Sequence, residues 1–118
     1  MSIQQRDQSR LEKIVEHCDD ILQTFSSTEM DEAVFLENKL YQKAIAFDIM
    51  QIGELVAALS DDFKRNHKAV PWQQIKGVRN RIVHQYGEVN QNVLWKIAAE
   101  DIPELKEYCV KALGNIEL

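Results

Sequence analysis

An apolar residue recurs every three or four positions through most of the chain, and few residues interrupt the pattern. Leu11, Ile14, Val15, Cys18, Ile21, Leu22 and Phe25 set one apolar stripe on a helix spanning about residues 7 to 26. Ser26, Ser27 and Thr28 supply a break and an N-cap, and Asp31 and Glu32 suit the positive end of the next helix dipole. From Val34 to Leu59 the apolar positions are too dense for a narrow stripe, which predicts one helix at the centre of a bundle. Gly53 sits inside it. A mid-helix glycine costs about 1 kcal/mol relative to alanine, so it is expected to serve the close approach of a neighbour.

Ser60, Asp61 and Asp62 cap a short helical piece through about Asn66, and His67 to Val70 read as a loop because the residue before Pro71 avoids the α region. Trp72, Ile75, Val78, Ile82 and Val83 predict a helix to about residue 85, ended by Gly87. Asn90 caps the last helical region, in which Asp101 and Pro103 mark a kink or restart and Gly114 a C-terminal stop. Four Gly and two Pro in 118 residues are too few turn formers for an all-β fold. The predicted class is therefore all-α: one domain over residues 1–118, an antiparallel up-and-down bundle of four main helices plus short helical pieces.

No apolar run approaches the ~20 residues of a bilayer span, and the start MSIQQRDQSR lacks the apolar stretch of a signal peptide. Cys18 and Cys109 stand singly in helical patterns and are expected to be small apolar core residues, which together with the N-terminus suggests the cytoplasm. His17 and His67 have no chemical company in the sequence and read as surface residues.

A net charge of -5 argues against a nucleic-acid partner only if it is averaged over the chain. Between Phe63 and Gly87 there are six basic residues, Lys64, Arg65, Lys68, Lys76, Arg79 and Arg81, and no acid; the remaining 93 residues hold eight basic and 19 acidic groups. The segment carries +6 and the rest -11. Such an island is either a solvated basic helix face or an anion-binding face, for which RNA phosphate is the obvious polyanion.

Within the island lies Arg79-Asn80-Arg81-Ile82-Val83-His84-Gln85-Tyr86. His84 suits proton transfer near neutrality, taking a proton from a ribose 2′-hydroxyl or giving one to a leaving 5′-oxygen. The planar, permanently charged fork of Arg79 suits the extra negative charge of a pentacoordinate phosphorus. Asn80, one helical turn before His84, is placed to hold the imidazole or contact the phosphate, and Tyr86 to stack on a base or bond the phosphate. Lys76 and Arg81 are the expected RNA-binding cations. No H-x-x-x-H pair or carboxylate cluster accompanies His84, so the site is expected to work without a metal. Acid–base cleavage needs two proton-transfer groups, and a two-fold dimer across the motif helix would supply the second histidine. The same residues also suit a purely structural role, with Arg79 and His84 at the negative end of the helix and Tyr86 in the core.

At these residues the sequence resembles the HEPN superfamily, and within it the HepT-like toxins of toxin–antitoxin pairs. Arg79, His84 and Tyr86 match R-x-x-x-x-H-x-Y, and Asn80 matches the preferred polar residue after the arginine. Ile52-Gly53-Glu54, Pro71-Trp72-x-x-Ile75-x-Gly77, Val93-Leu94-Trp95 and Asp101-Ile102-Pro103-x-Leu105 resemble the branch's landmarks in order. Gly53 and Glu54 are assigned to packing or a polar contact between helices. The resemblance implies an all-α dimer and a metal-independent endoribonuclease acting on tRNA or mRNA, with Arg79 and His84 as the catalytic pair. It also implies a nucleotidyltransferase antitoxin that transfers AMP from ATP onto Tyr86; ATP would be the partner's substrate, and this chain would need no cofactor. The alternative is a non-catalytic helical module that binds RNA, a nucleotide or a partner enzyme through the same face.

Overall fold

A computed structural model describes residues 2–68, 70, 72–85 and 90–117, with side chains for 5–68, 70, 72, 73, 75–77, 79, 80 and 90–114. All the regular structure among them is helical. Helix α1 (Ser2–Thr28) is followed by α2 (Glu32–Glu37), α3 (Lys39–Ala58), α4 (Asp61–Asn66), α5 (Trp72–Gln85) and α6 (Gln91–Lys96). A π-helical turn (Ile97–Asp101) then leads directly into α7 (Ile102–Glu117).

The four main helices are α1, α3, α5 and the run from α6 through α7. Asp7 near the start of α1 meets Ser60 just past the end of α3, while His17 meets Asp48 further along, so the two helices run antiparallel. Phe25 stacks on Trp95 at 5.1 Å and Asp19 pairs with Lys106 at 2.6 Å, which makes α1 antiparallel to the last run as well. Helix α3 packs on its other side against α5. Leu11, Ile14, Cys18 and Ile21 of α1, Ile45, Ile49, Ile52 and Val56 of α3, and Leu105 and Cys109 of α7 form the core.

Several element ends differ from the sequence reading, and side-chain hydrogen bonds explain each. Ser26, Ser27 and Thr28 remain in α1, with their hydroxyls donating to carbonyls three or four residues back. The helix stops one residue later, where Glu29 adopts φ 50° and the Met30 N–H donates to the Phe25 carbonyl. Asp31 is the N-cap of α2, its carboxylate accepting from the Val34 N–H.

The single helix expected from Val34 to Leu59 is two. Asn38 caps α3 by accepting from the Tyr41 N–H, and its own N–H donates to the Phe35 carbonyl; buried Gln42 donates to the carbonyls of Phe35 and Leu36 at the end of α2. At the other end Ser60 caps α4 as predicted, and its own N–H and hydroxyl donate to buried Asp7.

The expected kink at Asp101 and Pro103 is the π turn. Pro103 has no N–H to continue the ladder, and just ahead of it the Ile102 N–H donates five residues back to Ile97. Gly114 does not end the last helix, which continues to Glu117. Gly87 lies outside the described residues.

His67 is not a surface residue. Its ring stacks on Phe63 at 4.2 Å, its Nδ1 shares a 2.9 Å hydrogen bond with the Tyr108 hydroxyl, and its carbonyl accepts from the Trp72 indole. This cluster ties the connection between α4 and α5 to α7. His17 is likewise half-buried, with Nδ1 3.1 Å from Asp48. Asp48 has its pKa raised, mainly by burial.

Both cysteines are buried and free, as expected, and burial is the main cause that pushes each thiol up to about 12. Neither is a thiolate at neutral pH, so alkylation by iodoacetamide at pH 8 should be negligible in the native chain and complete at both positions in denaturant, as intact mass will report. A second outcome concerns the glycines. An added Cβ at Gly53 would lie 2.2 Å from Arg79 Cβ, whereas one at Gly77 would meet nothing within 4 Å. Gly53→Ala should therefore lower stability by about 1–2 kcal/mol, overpacking outweighing the helix-propensity gain, and Gly77→Ala should raise it by up to about 1 kcal/mol. Denaturant melts of the two variants check both signs.

Candidate functional site

Helix α5 presents Arg79 to α3 because residue 53 has no side chain. The Arg79 Cβ and Cγ occupy the space where a Gly53 Cβ would stand. The close approach expected of this glycine is thus the approach of the arginine stem, and it fixes where the guanidinium lies.

One residue further along α3, Glu54 receives that guanidinium. Arg79 Nε donates to Glu54 Oε1 at 2.6 Å, and Nη2 donates to the same oxygen. Nη1 donates to the amide oxygen of Asn80. The expectation that Glu54 makes a polar contact between helices holds, with Arg79 as the partner. Asn80 braces the arginine fork.

The Arg79 side chain is 25% exposed and that of Glu54 48%. The cation is therefore partly walled by protein while its counter-ion faces water. Such an arrangement lets an incoming phosphate compete with the carboxylate for the same donors.

The other predicted residues divide by position. His84 belongs to α5, five residues after Arg79, but its side chain and that of Arg81 lie outside the described residues, as does the whole of Tyr86. Lys76 is exposed on α5, one helical turn before Asn80.

Three further cations of the basic island, absent from the predicted site, gather elsewhere. Lys64, Arg65 and Lys68 line a hollow of about 580 Å³ with Trp72 and Gln73 at the start of α5. Their signal was the acid-free run itself, since they stand eight to twelve residues before Lys76 and Trp72 lies between.

Among the described residues His17, Asp20 and Asp48 are the one group of potential metal ligands whose ligand atoms lie within 4.8 Å of one another. They stand on α1 and α3, and none is on α5. The hydrogen bond between His17 and Asp48 is a sufficient reason for their proximity. No described helix is long and apolar enough to cross a membrane.

Comparison with known proteins connects this geometry to a family. The family model described as ribonuclease HepT-like matches residues 8–112. A Thermococcus cleftensis protein named a probable ribonuclease HepT is 40% identical over 72 residues, covering 61% of this chain and 66% of its own. Two Methanocaldococcus jannaschii proteins, provisionally named RNases, are each 31% identical, over 104 and 94 residues; these cover 88% and 80% of this chain and 84% of each relative. No solved structure matches.

With Glu54 nearly half exposed, its pair with Arg79 should contribute only about 0.2–1 kcal/mol to stability. Glu54→Gln should accordingly shift the denaturant midpoint little while moving elution from a phosphocellulose column to higher salt, because the Arg79 charge is released. Unchanged elution would mean that Arg79 does not meet anions.

Proposed function

Because the chain belongs to the ribonuclease HepT-like family, we propose that it is a metal-independent endoribonuclease whose catalytic pair is Arg79 and His84. The observation that carries this reading is the Arg79 guanidinium, held by Gly53, Glu54 and Asn80 on the helix that also bears His84.

In this mechanism His84 takes the proton from a ribose 2′-hydroxyl, and the 2′-oxygen attacks the adjacent phosphorus. The bond to the 5′-oxygen breaks, and that oxygen leaves with a proton from a second acid. Arg79 turns from Glu54 to the non-bridging oxygens, where negative charge grows in the transition state. The need for a 2′-hydroxyl restricts the substrate to RNA.

A homodimer supplies the second histidine. Leu40 and Phe47 on α3 are 73% and 54% exposed, and with Glu54 they stand at intervals of seven residues, on one helical stripe. An exposed apolar stripe that ends at the arginine's partner is what a second subunit beside the site would cover. The cellular role is that of a toxin, restrained by a nucleotidyltransferase antitoxin that adenylylates Tyr86. The added anion would stand two residues from His84 and exclude the RNA phosphate.

Purified chain should cut a single-stranded RNA and leave its 2′-O-methyl counterpart intact. Arg79→Ala and His84→Ala should each reduce cleavage by about 10²-fold or more while the chain remains folded. RNA that is bound but never cut by the wild type would establish the non-catalytic alternative. For Tyr86, co-expression with the antitoxin should add one or more AMP increments to the intact mass, absent in Tyr86→Phe. An unmodified, silenced chain would point to inhibition by complex formation.

A further inference from the structure

We propose that the hollow between α4 and the start of α5 is a second RNA subsite, holding backbone phosphates of the same strand a few nucleotides from the bond cut beside Arg79. The inference rests on the ribonuclease reading and adds to it a contact surface outside the motif.

Charge is the first argument. Lys64, Arg65 and Lys68 face one hollow whose lining contains a single acid, Asp61. Lys64 and Lys68 have no ion pair among the described residues, and the Arg65 pair with Asp62 joins two side chains that are 69% and 72% exposed. That pair is worth little in water and does not hold the guanidinium back from a phosphate. In a chain of net charge -5, this leaves a local excess of positive charge around a shallow, open hollow, within reach of one strand.

Rigidity is the second. The floor is Val70 and the edge of Trp72, both buried. Trp72 is fixed by its indole bond to the His67 carbonyl and by its edge contact with Phe63, and His67 is fixed in turn by Tyr108 of α7. A hollow anchored to two elements of the bundle needs little reordering to receive a ligand.

Position is the third. Trp72 and Arg79 are seven residues apart on α5, close to two full turns, and so lie on one side of the helix about 10 Å apart along its axis. That separation corresponds to roughly three nucleotides of stacked strand at about 3.4 Å each. On the neighbouring stripe, Gln73, Gly77 and Asn80 recur at four and three residues, and Gly77 leaves open space between the two polar side chains. Gly77 thus leaves room on α5 between Gln73 of the hollow and Asn80 beside Arg79.

The test uses the full chain and a fluorescent single-stranded 12-mer RNA with 2′-O-methyl groups throughout, so that binding is read without cleavage. Anisotropy titrations over a series of KCl concentrations should give the triple variant Lys64→Gln, Arg65→Gln, Lys68→Gln a binding constant weaker by about tenfold or more. Its log–log salt slope should be shallower by about 2, three cations at about 0.7 each. Asp61→Asn, which removes the one lining acid, should tighten binding severalfold and guards against a triple variant that merely folds poorly. Equal slopes and affinities for the wild type and both variants overturn the subsite while leaving the ribonuclease reading intact. A wild-type chain that binds no RNA overturns both. Displacement of the 12-mer by AMP at equal phosphate concentration would make the hollow a mononucleotide pocket and would also overturn the proposal, because a strand engages several cations at once.

Discussion

The contact between α3 and α5 at Gly53 is the constraint on which the candidate site depends. Two helices carrying ordinary side chains at this point would stand further apart, and the arginine stem would have no bed. With hydrogen at residue 53, the stem lies directly on α3, and Glu54 follows as the nearest partner for the guanidinium. The helix-propensity loss at Gly53, about 1 kcal/mol, is the local cost of placing a charged group at a helix–helix seam. The seam also leaves Arg79 partly shielded from water, where its hydrogen bonds to an anion are stronger than on an open surface.

Around that seam, the molecule separates its charges in a way that the chain order only partly reveals. The basic residues from Lys64 to Arg81 are contiguous in sequence, yet the fold distributes them along α4, the connection after it and α5, some in the hollow beside Trp72 and Arg79 at the α3 contact. Glu54 belongs to the acidic body by sequence position but stands beside Arg79 in space. An anion arriving at Arg79 would thus meet a carboxylate already in place and have to compete with it for the same donors.

Much of the bundle was legible in the sequence because helix periodicity is a local property. The apolar stripe of α1, the start of α5 at Trp72, the Ser60 cap and the core cysteines all follow from spacing and residue type. The misread boundaries share one cause. Asn38, Asp31 and the hydroxyls of Ser26 to Thr28 either begin a new helix or continue the old one, depending on which backbone groups come within reach, and an unbroken apolar pattern masks the choice. The interruption by Pro103 was visible, but its resolution as a π turn depends on the helix continuing past it against α1.

His67 illustrates the same limit at the level of a single side chain. Phe63 and Trp72 are near it in the chain, but they flank a loop whose path the sequence leaves open, and Tyr108, which takes its Nδ1, arrives from α7, 41 residues away. By itself the sequence determined the helical class, the basic island and the Arg79 to Tyr86 motif, since each is written in spacing and residue type along one segment. Only the tertiary structure decided that Gly53 seats Arg79, that Glu54 is its counter-ion, and that Lys64, Arg65 and Lys68 share a hollow with Trp72. The physical reason is that a hydrogen bond or a close approach between helices is set by distances across the bundle, which no periodicity along one helix encodes.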